Sequence, residues 1–257
     1  MLRIRDEQVQ SLRKSLTADV EDELYEDVKR YFKERHSYLG DAQTRAAVRH
    51  GMDRAAHYGF SSLRGWALYV TLAFVLGSHF DKNPLYPWAQ KNLIEDQDLV
   101  ETTRTHRFYN ALRRYARSTR DETGIYNEPI LRYPENALPP YASNQTVEAY
   151  LMQQIREMAP AHYAEAGENL VADLVSVAIE RAGRRGLMSA SSLSIYVPLT
   201  FLLGVGFDED PQFPWASEAC EKRAEDGPES IALRLHHGAI AFRRHCMMFL
   251  SQPDLSS

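Results

Sequence analysis

Cysteine is scarce in this chain. Its 257 residues include two, Cys220 and Cys246, both in the second half. Two thiols cannot form a disulfide framework at this size, which excludes a small stapled secreted fold. Buried free thiols in a reducing compartment are expected instead. Long apolar runs are missing too. The longest, Trp66–Leu76 and Leu193–Phe207, are shorter than the ~20 residues needed to cross a bilayer, and Pro198 interrupts the second. Both read as buried core helices, with no membrane role expected. The first twenty residues are charged throughout and carry no apolar core of a signal peptide, so the expected location is cytoplasmic, or outside the cell by a route that needs no cleaved signal. Nor is positive charge in excess. With 30 Lys and Arg against 35 Asp and Glu, the formal net charge is −5. Nucleic-acid partners are not expected, because phosphate binding needs a positive surface.

Signatures of catalysis are equally sparse. The nine histidines show no HExxH spacing and no CxxC occurs, so no metal site and no cofactor are expected. His237 and His245 lie two helical turns apart, too far for joint ligation without a third element. His245 and Cys246 are adjacent in sequence, and adjacent helical residues point in different directions. There is no GxSxG elbow, phosphate loop or dinucleotide fingerprint. Gly204-Val205-Gly206 follows an apolar helix and reads as its terminator. The densest carboxylate group, Asp208-Glu209-Asp210, corresponds to Asp81-Lys82-Asn83 earlier in the chain. Only the first aspartate recurs, which suits a turn residue accepting backbone amides better than a calcium ligand.

That correspondence belongs to an internal repeat. A shift of 127 positions aligns Arg54–Ala89 with Arg181–Ala216 without a gap, and 16 of the 36 pairs are identical. Gly77, Phe80, Asp81, Pro84, Pro87, Trp88 and Ala89 fall on Gly204, Phe207, Asp208, Pro211, Pro214, Trp215 and Ala216. Near the last helices the register is expected to slip by about three, pairing Ala111–Arg114 with Ala241–Arg244. The expected fold class is all-α: two tandem, internally duplicated helical modules of about five helices each. The boundaries are 1–120 for the first module, 121–146 for a connector and 147–257 for the second module. The connector carries Pro129, Pro134, Pro139, Pro140 and Gly124 and should be largely extended.

Within each module the punctuation is helical. Asp41 can cap a helix that runs to about Tyr58 and is closed by Gly59, with Gly186 in the same place later. Ser61 or Ser62 can cap the helix ending at Gly77, and Ser189 the one ending at Gly204. Pro87 and Pro214 suit the first turn of a further helix. Final helices are expected at about Gln97–Arg117 and Pro228–Leu250. Pro198, standing where the first copy has Thr71, should kink its helix or shift its start.

Several residues are candidates for partner contact. Tyr86 pairs with Phe213 and Trp88 with Trp215. These aromatics can anchor their helices in the core or present a surface to a partner. Arg181, Arg184 and Arg185 form a basic cluster opposite Arg54, His57 and Tyr58. The positions where the copies differ, His57/Arg184, Tyr58/Arg185 and Lys82/Glu209, are where function is expected, with the connector and the groove between modules.

The run Arg54-Ala-Ala-His-Tyr-Gly59, then Leu76-Gly77-x-x-Phe80-Asp81-x-x-Pro84-x-x-Pro87-Trp88-Ala89, resembles small helical proteins of bacterial type VI secretion gene clusters. The resemblance covers the repeated core, roughly half the chain. It implies a non-enzymatic accessory protein that binds a secreted effector or its chaperone, as an immunity protein or a co-chaperone. The alternative is an enzyme whose site is assembled between the modules from scattered residues such as Asp81, Asp208 and histidines.

Overall fold

The structure is a computed structural model that describes residues 6–94, 99–118, 129–135, 145–221 and 227–251. Eleven α-helices account for most of these: α1 (Asp6–Tyr31), α2 (Lys33–His57), α3 (Leu63–Leu76), α4 (Pro87–Ile94), α5 (Glu101–Ser118), α6 (Val147–Met158), α7 (Pro160–Ala166), α8 (Glu168–Arg184), α9 (Ala190–Leu203), α10 (Pro214–Cys220) and α11 (Pro228–Leu250). Short 3-10 turns occur at Phe80–Lys82, Pro129–Arg132 and Phe207–Glu209. Among the described residues there is no strand. The protein is all-α, and no described helix is long and apolar enough to cross a membrane.

Local chemistry explains where these helices begin and end. Ser62 precedes α3 and accepts the Gly65 amide at 3.1 Å, and Ser189 precedes α9 and accepts the Ser192 amide at 3.1 Å. These caps satisfy amides that have no helical partner. Both α2 and α8 close in a Schellman turn. Gly59 (φ +74) and Gly186 (φ +82) take the left-handed position. The next residue, Phe60 or Leu187, bonds back to the Ala55 or Ala182 carbonyl and buries its side chain. Pro198 does not shift its helix: α9 starts and ends 127 residues after α3. Asp41 is not a cap. Non-helical Gly40 breaks α2 just before it, and its carboxylate instead accepts the Tyr25 hydroxyl at 2.6 Å and meets His36 Nε2 at 3.0 Å.

The final helices follow the sequence more closely at one end than the other. The expected start at Gln97 lies outside the described residues, and α5 is seen from Glu101. The expected three-residue slip is corrected by packing. The ring of Trp88 lies 5.6 Å from Tyr115, and Tyr86 meets Tyr115 edge-on at 5.6 Å. Trp215 lies 6.4 Å from Phe242, and Phe213 meets Phe242 edge-on at 5.7 Å. Tyr115 and Phe242 are 127 apart, so the inward aromatics keep the original spacing. The outward Arg-Arg pairs, which suggested a slip, occupy different places on their helices.

The connector is described at 129–135 and 145–146. Residues 129–135 are not simply extended: they form a 3-10 turn, and Ile130 and Tyr133 are buried in the core built by α6–α11. Arg243 and Glu135 form an ion pair at 2.8 Å, and Tyr133 Oη lies 2.9 Å from His236 Nδ1. Pro139, Pro140 and Gly124 lie outside the described residues.

The first half buries two further apolar clusters, one around α3–α5 and one where α1, α2 and α3 meet. The halves then touch along a seam. A β-carbon on Gly77 would lie 2.7 Å from the Leu203 carbonyl oxygen, and one on Gly204 would lie 2.9 Å from that of Leu76. The contact is reciprocal, as at a two-fold interface, and only hydrogen side chains permit it. Around it the pairing is asymmetric. Asp210 accepts the Ser78 amide and hydroxyl at 2.8 and 2.7 Å, and Gln212 Nε2 donates to the Ala73 carbonyl at 2.8 Å. Gln43 reaches the Pro211 carbonyl at 2.8 Å, and Tyr38 packs edge-on against Phe242.

Candidate functional site

The repeated aspartates sit in buried ionic networks. Asp81, 2% exposed, is paired with the Arg54 guanidinium and accepts the Tyr58 hydroxyl at 2.6 Å. Asp208, also 2% exposed, accepts Arg185 Nε at 2.7 Å and the Tyr196 hydroxyl at 2.9 Å, with Arg181 at 3.6 Å. A buried carboxylate is tolerated only when charge and hydrogen bonds compensate for lost water, and these networks supply both. Burial, reinforced by the facing aspartate, pushes the Tyr69 and Tyr196 phenols up, so both stay protonated at neutral pH. Asp208 therefore differs from the expected backbone-amide acceptor. That role falls to Asp210, which also accepts the Gln212 amide at 2.9 Å.

Two of the differing pairs compensate each other. Where the first half uses the neutral Tyr58 on Asp81, the second uses the charged Arg185 on Asp208. The added charge is met at Glu209, which replaces Lys82 and accepts Arg185 at 2.9 Å and Arg181 at 3.0 Å. His57 and Arg184 are exposed. His57 packs edge-on against Tyr58 at 5.2 Å, and Arg184 pairs with Glu180 one turn earlier.

The aromatic candidates face inward. Phe213 is buried, whereas Tyr86, Trp88 and Trp215 are partly buried and packed against apolar clusters. Trp215 lies so tightly on α11 that a β-carbon at Gly238 would fall 2.3 Å from its ring. Cys220 and Cys246 are free and buried, and burial lifts the Cys220 thiol to about 12 with help from Asp208.

Asp81 and Asp208 are each engaged by arginine and tyrosine of their own half, not joined in one site. Two histidines lie at the seam: His245, whose ring is 5.0 Å from Tyr38, and His79, whose ring is 5.6 Å from His50. The His79 imidazole fills the space that Gly206, its partner in the repeat, leaves open: a β-carbon there would lie 2.9 Å from Nδ1. Burial lowers the His79 pKa. Asp210 opposes the shift, while Arg54 and His50 add to it. Among the described residues no group of three His, Cys, Asp or Glu side chains is arranged to hold a metal ion.

Two surface features remain. A shallow cleft of about 360 Å³ runs along the seam between α2 and α10, lined by Gln43, Ala46, Glu209, Asp210, Pro214 and Glu218 among others. The second is the contrast between the outer faces of α5 and α11. On α5 the exposed side chains include His106, Arg107, Tyr109, Arg113 and Arg114, and on α11 Leu233, His237, Met247, Met248 and Leu250. Sequence motifs did not point to either face, because neither repeats.

Comparisons with protein-family models, curated proteins and solved structures return no match to this chain.

Proposed function

We propose that this chain is a non-enzymatic, cytoplasmic protein-binding accessory protein of a bacterial type VI secretion effector cluster, engaging an effector or its chaperone. The observation that carries the proposal is the split between inner and outer positions. The two final helices use aromatic anchors 127 residues apart on their inner sides, Tyr115 and Phe242. Their outer sides carry different chemistry, basic on α5 and mixed on α11, where Leu233, Met247, Met248 and Leu250 are exposed beside Arg244. A scaffold that spends its shared residues on packing and varies its exposed ones suits recognition of other proteins. Exposed methionine and leucine side chains at the end of α11 add adaptable apolar contact area. The resemblance of the Arg54–Ala89 motif to helical proteins of type VI secretion clusters names the setting.

Affinity purification from the native bacterium, followed by mass spectrometry, tests this. Recovery of a secretion component or an adjacent toxin is the expected result, and repeated recovery of neither would overturn the proposal. Co-expression with the recovered effector then separates the two roles. An immunity protein rescues cells from the toxin, whereas a co-chaperone changes effector stability or delivery without rescue.

A further inference from the structure

Residues 102–120 contain six arginines and no acidic residue. Most of this segment is α5, and its exposed face bears Arg107, Tyr109, Arg113 and Arg114. Elsewhere several surface arginines of the protein are paired with acids, although exposed Arg30 and Arg64 show no ion pair among the described residues. Arg45 and Arg49 pair with Asp22 and Glu21, Arg184 with Glu180, and Arg181 and Arg185 with Glu209. The Arg243-Arg244 pair of α11 meets Glu135 at 2.8 and 3.6 Å. Arg113 and Arg114 have no carboxylate within ion-pair distance among the described residues. The only acid of α5 itself, Glu101, is turned to the N-terminus of α3, where it accepts the Ser61 and Ser62 hydroxyls at 2.8 and 2.5 Å.

We propose that the outer face of α5 is the docking surface for an acidic segment of a partner protein, with Arg113 and Arg114 as its charged anchors. Arg113 lies over the Tyr109 ring, 6.0 Å from its centroid, which puts the guanidinium next to an exposed aromatic edge. Arginine with an adjacent aromatic is the combination favoured at interface centres, and guanidinium groups recognise carboxylates bidentately. The position also diverges in the repeat, since Ile240 and Ala241 stand 127 residues after Arg113 and Arg114. The fold therefore does not require cations there. An acidic protein fits better than nucleic acid or an anionic bilayer. The arginines from 107 to 114 span only about 10 Å of helix, and the net charge of −5 repels an extended polyanion beyond this patch.

The proposal rests on the binding function above, and its test separates the two. The probe is a fluorescent 20-residue helical peptide bearing glutamate at every third or fourth position, with its lysine counterpart as control. The other arms are a DNA duplex and phosphatidylglycerol vesicles. Full-length protein should bind the glutamate peptide in preference to the other three, and the affinity should fall with added salt. Arg113→Glu/Arg114→Glu should weaken binding at least about tenfold with an unchanged melting curve, while Arg113→Lys/Arg114→Lys keeps most of it. No peptide binding, binding indifferent to charge reversal, or preference for DNA or vesicles would overturn the proposal. A native partner captured equally by wild type and the charge-reversed variant would also overturn it, while leaving the protein-binding function intact.

Discussion

The seam between the halves makes a quantitative prediction through three glycines. Gly77 (φ +89, ψ 150) and Gly167 (φ +83, ψ 150) share one backbone conformation, one open essentially to glycine alone. They differ in surroundings. A β-carbon at Gly167 meets nothing within 4 Å, whereas at Gly77 it would press 2.7 Å from the Leu203 carbonyl. Gly167→Ala should therefore report the backbone cost alone, about 1–3 kcal/mol. Gly77→Ala should add the cost of forcing two packed backbones apart, about 1–3 kcal/mol more by analogy with overpacked cores. Gly204→Ala should match Gly77→Ala, because its β-carbon meets the Leu76 carbonyl at 2.9 Å. The two seam variants should not add: once one methyl has opened the seam, the second has less to displace. Urea denaturation, with stability extrapolated to zero denaturant, measures the four variants against wild type. Equal losses for Gly167→Ala and Gly77→Ala would refute the close reciprocal contact, and full additivity in the double variant would refute a single shared seam.

Other consequences follow from the buried groups. Asp208→Ala should cost about 3–5 kcal/mol, because Arg185 and Arg181 lose the carboxylate that balances them in a largely dehydrated site; a loss under 1 kcal/mol in denaturant titration would mean that Glu209 alone suffices. Trp215→Ala should cost about 3–5 kcal/mol through the cavity it leaves beside Phe207 and Phe242; a variant with wild-type stability would place the indole outside the core. His79, held neutral by burial beside Arg54 and His50, makes folding pH-dependent. Its folded pKa lies below the ordinary value of 6.5, so the unfolded chain takes up the proton first. Stability is present in full above about 6.5 and declines as pH falls below it, by at most about 1.4 kcal/mol per pH unit for this one group. His79→Gln should flatten the decline between pH 7 and 5, and an unchanged slope would assign it to other groups.

Much of the architecture could be read before any coordinates. Gly59, Gly186, Ser62, Ser189, Pro87 and Pro214 act within a few residues of themselves, so their identities suffice to place caps and turns. The 127-residue spacing aligned Tyr86 with Phe213 and Trp88 with Trp215, but not the partners they meet. At the last helices the sequence suggests a slip because Arg-Arg pairs look alike although they lie on different faces. The inner partners, Tyr115 and Phe242, carry no such conspicuous match.

The sequence by itself determined the helical class, the repeat and most helix ends, because these follow from local hydrogen bonding and backbone freedom. Only the tertiary structure decided what faces what. Gln212 reaches Ala73 across 139 residues, Ser78 meets Asp210 across 132, and Glu135 neutralises Arg243 on a distant helix. Contacts of that range depend on how packed helices bring distant side chains together, and no short-range pattern encodes them. The same holds for the aspartates: their repetition was visible, but burial and two arginines made Asp208 a structural anion rather than a turn residue.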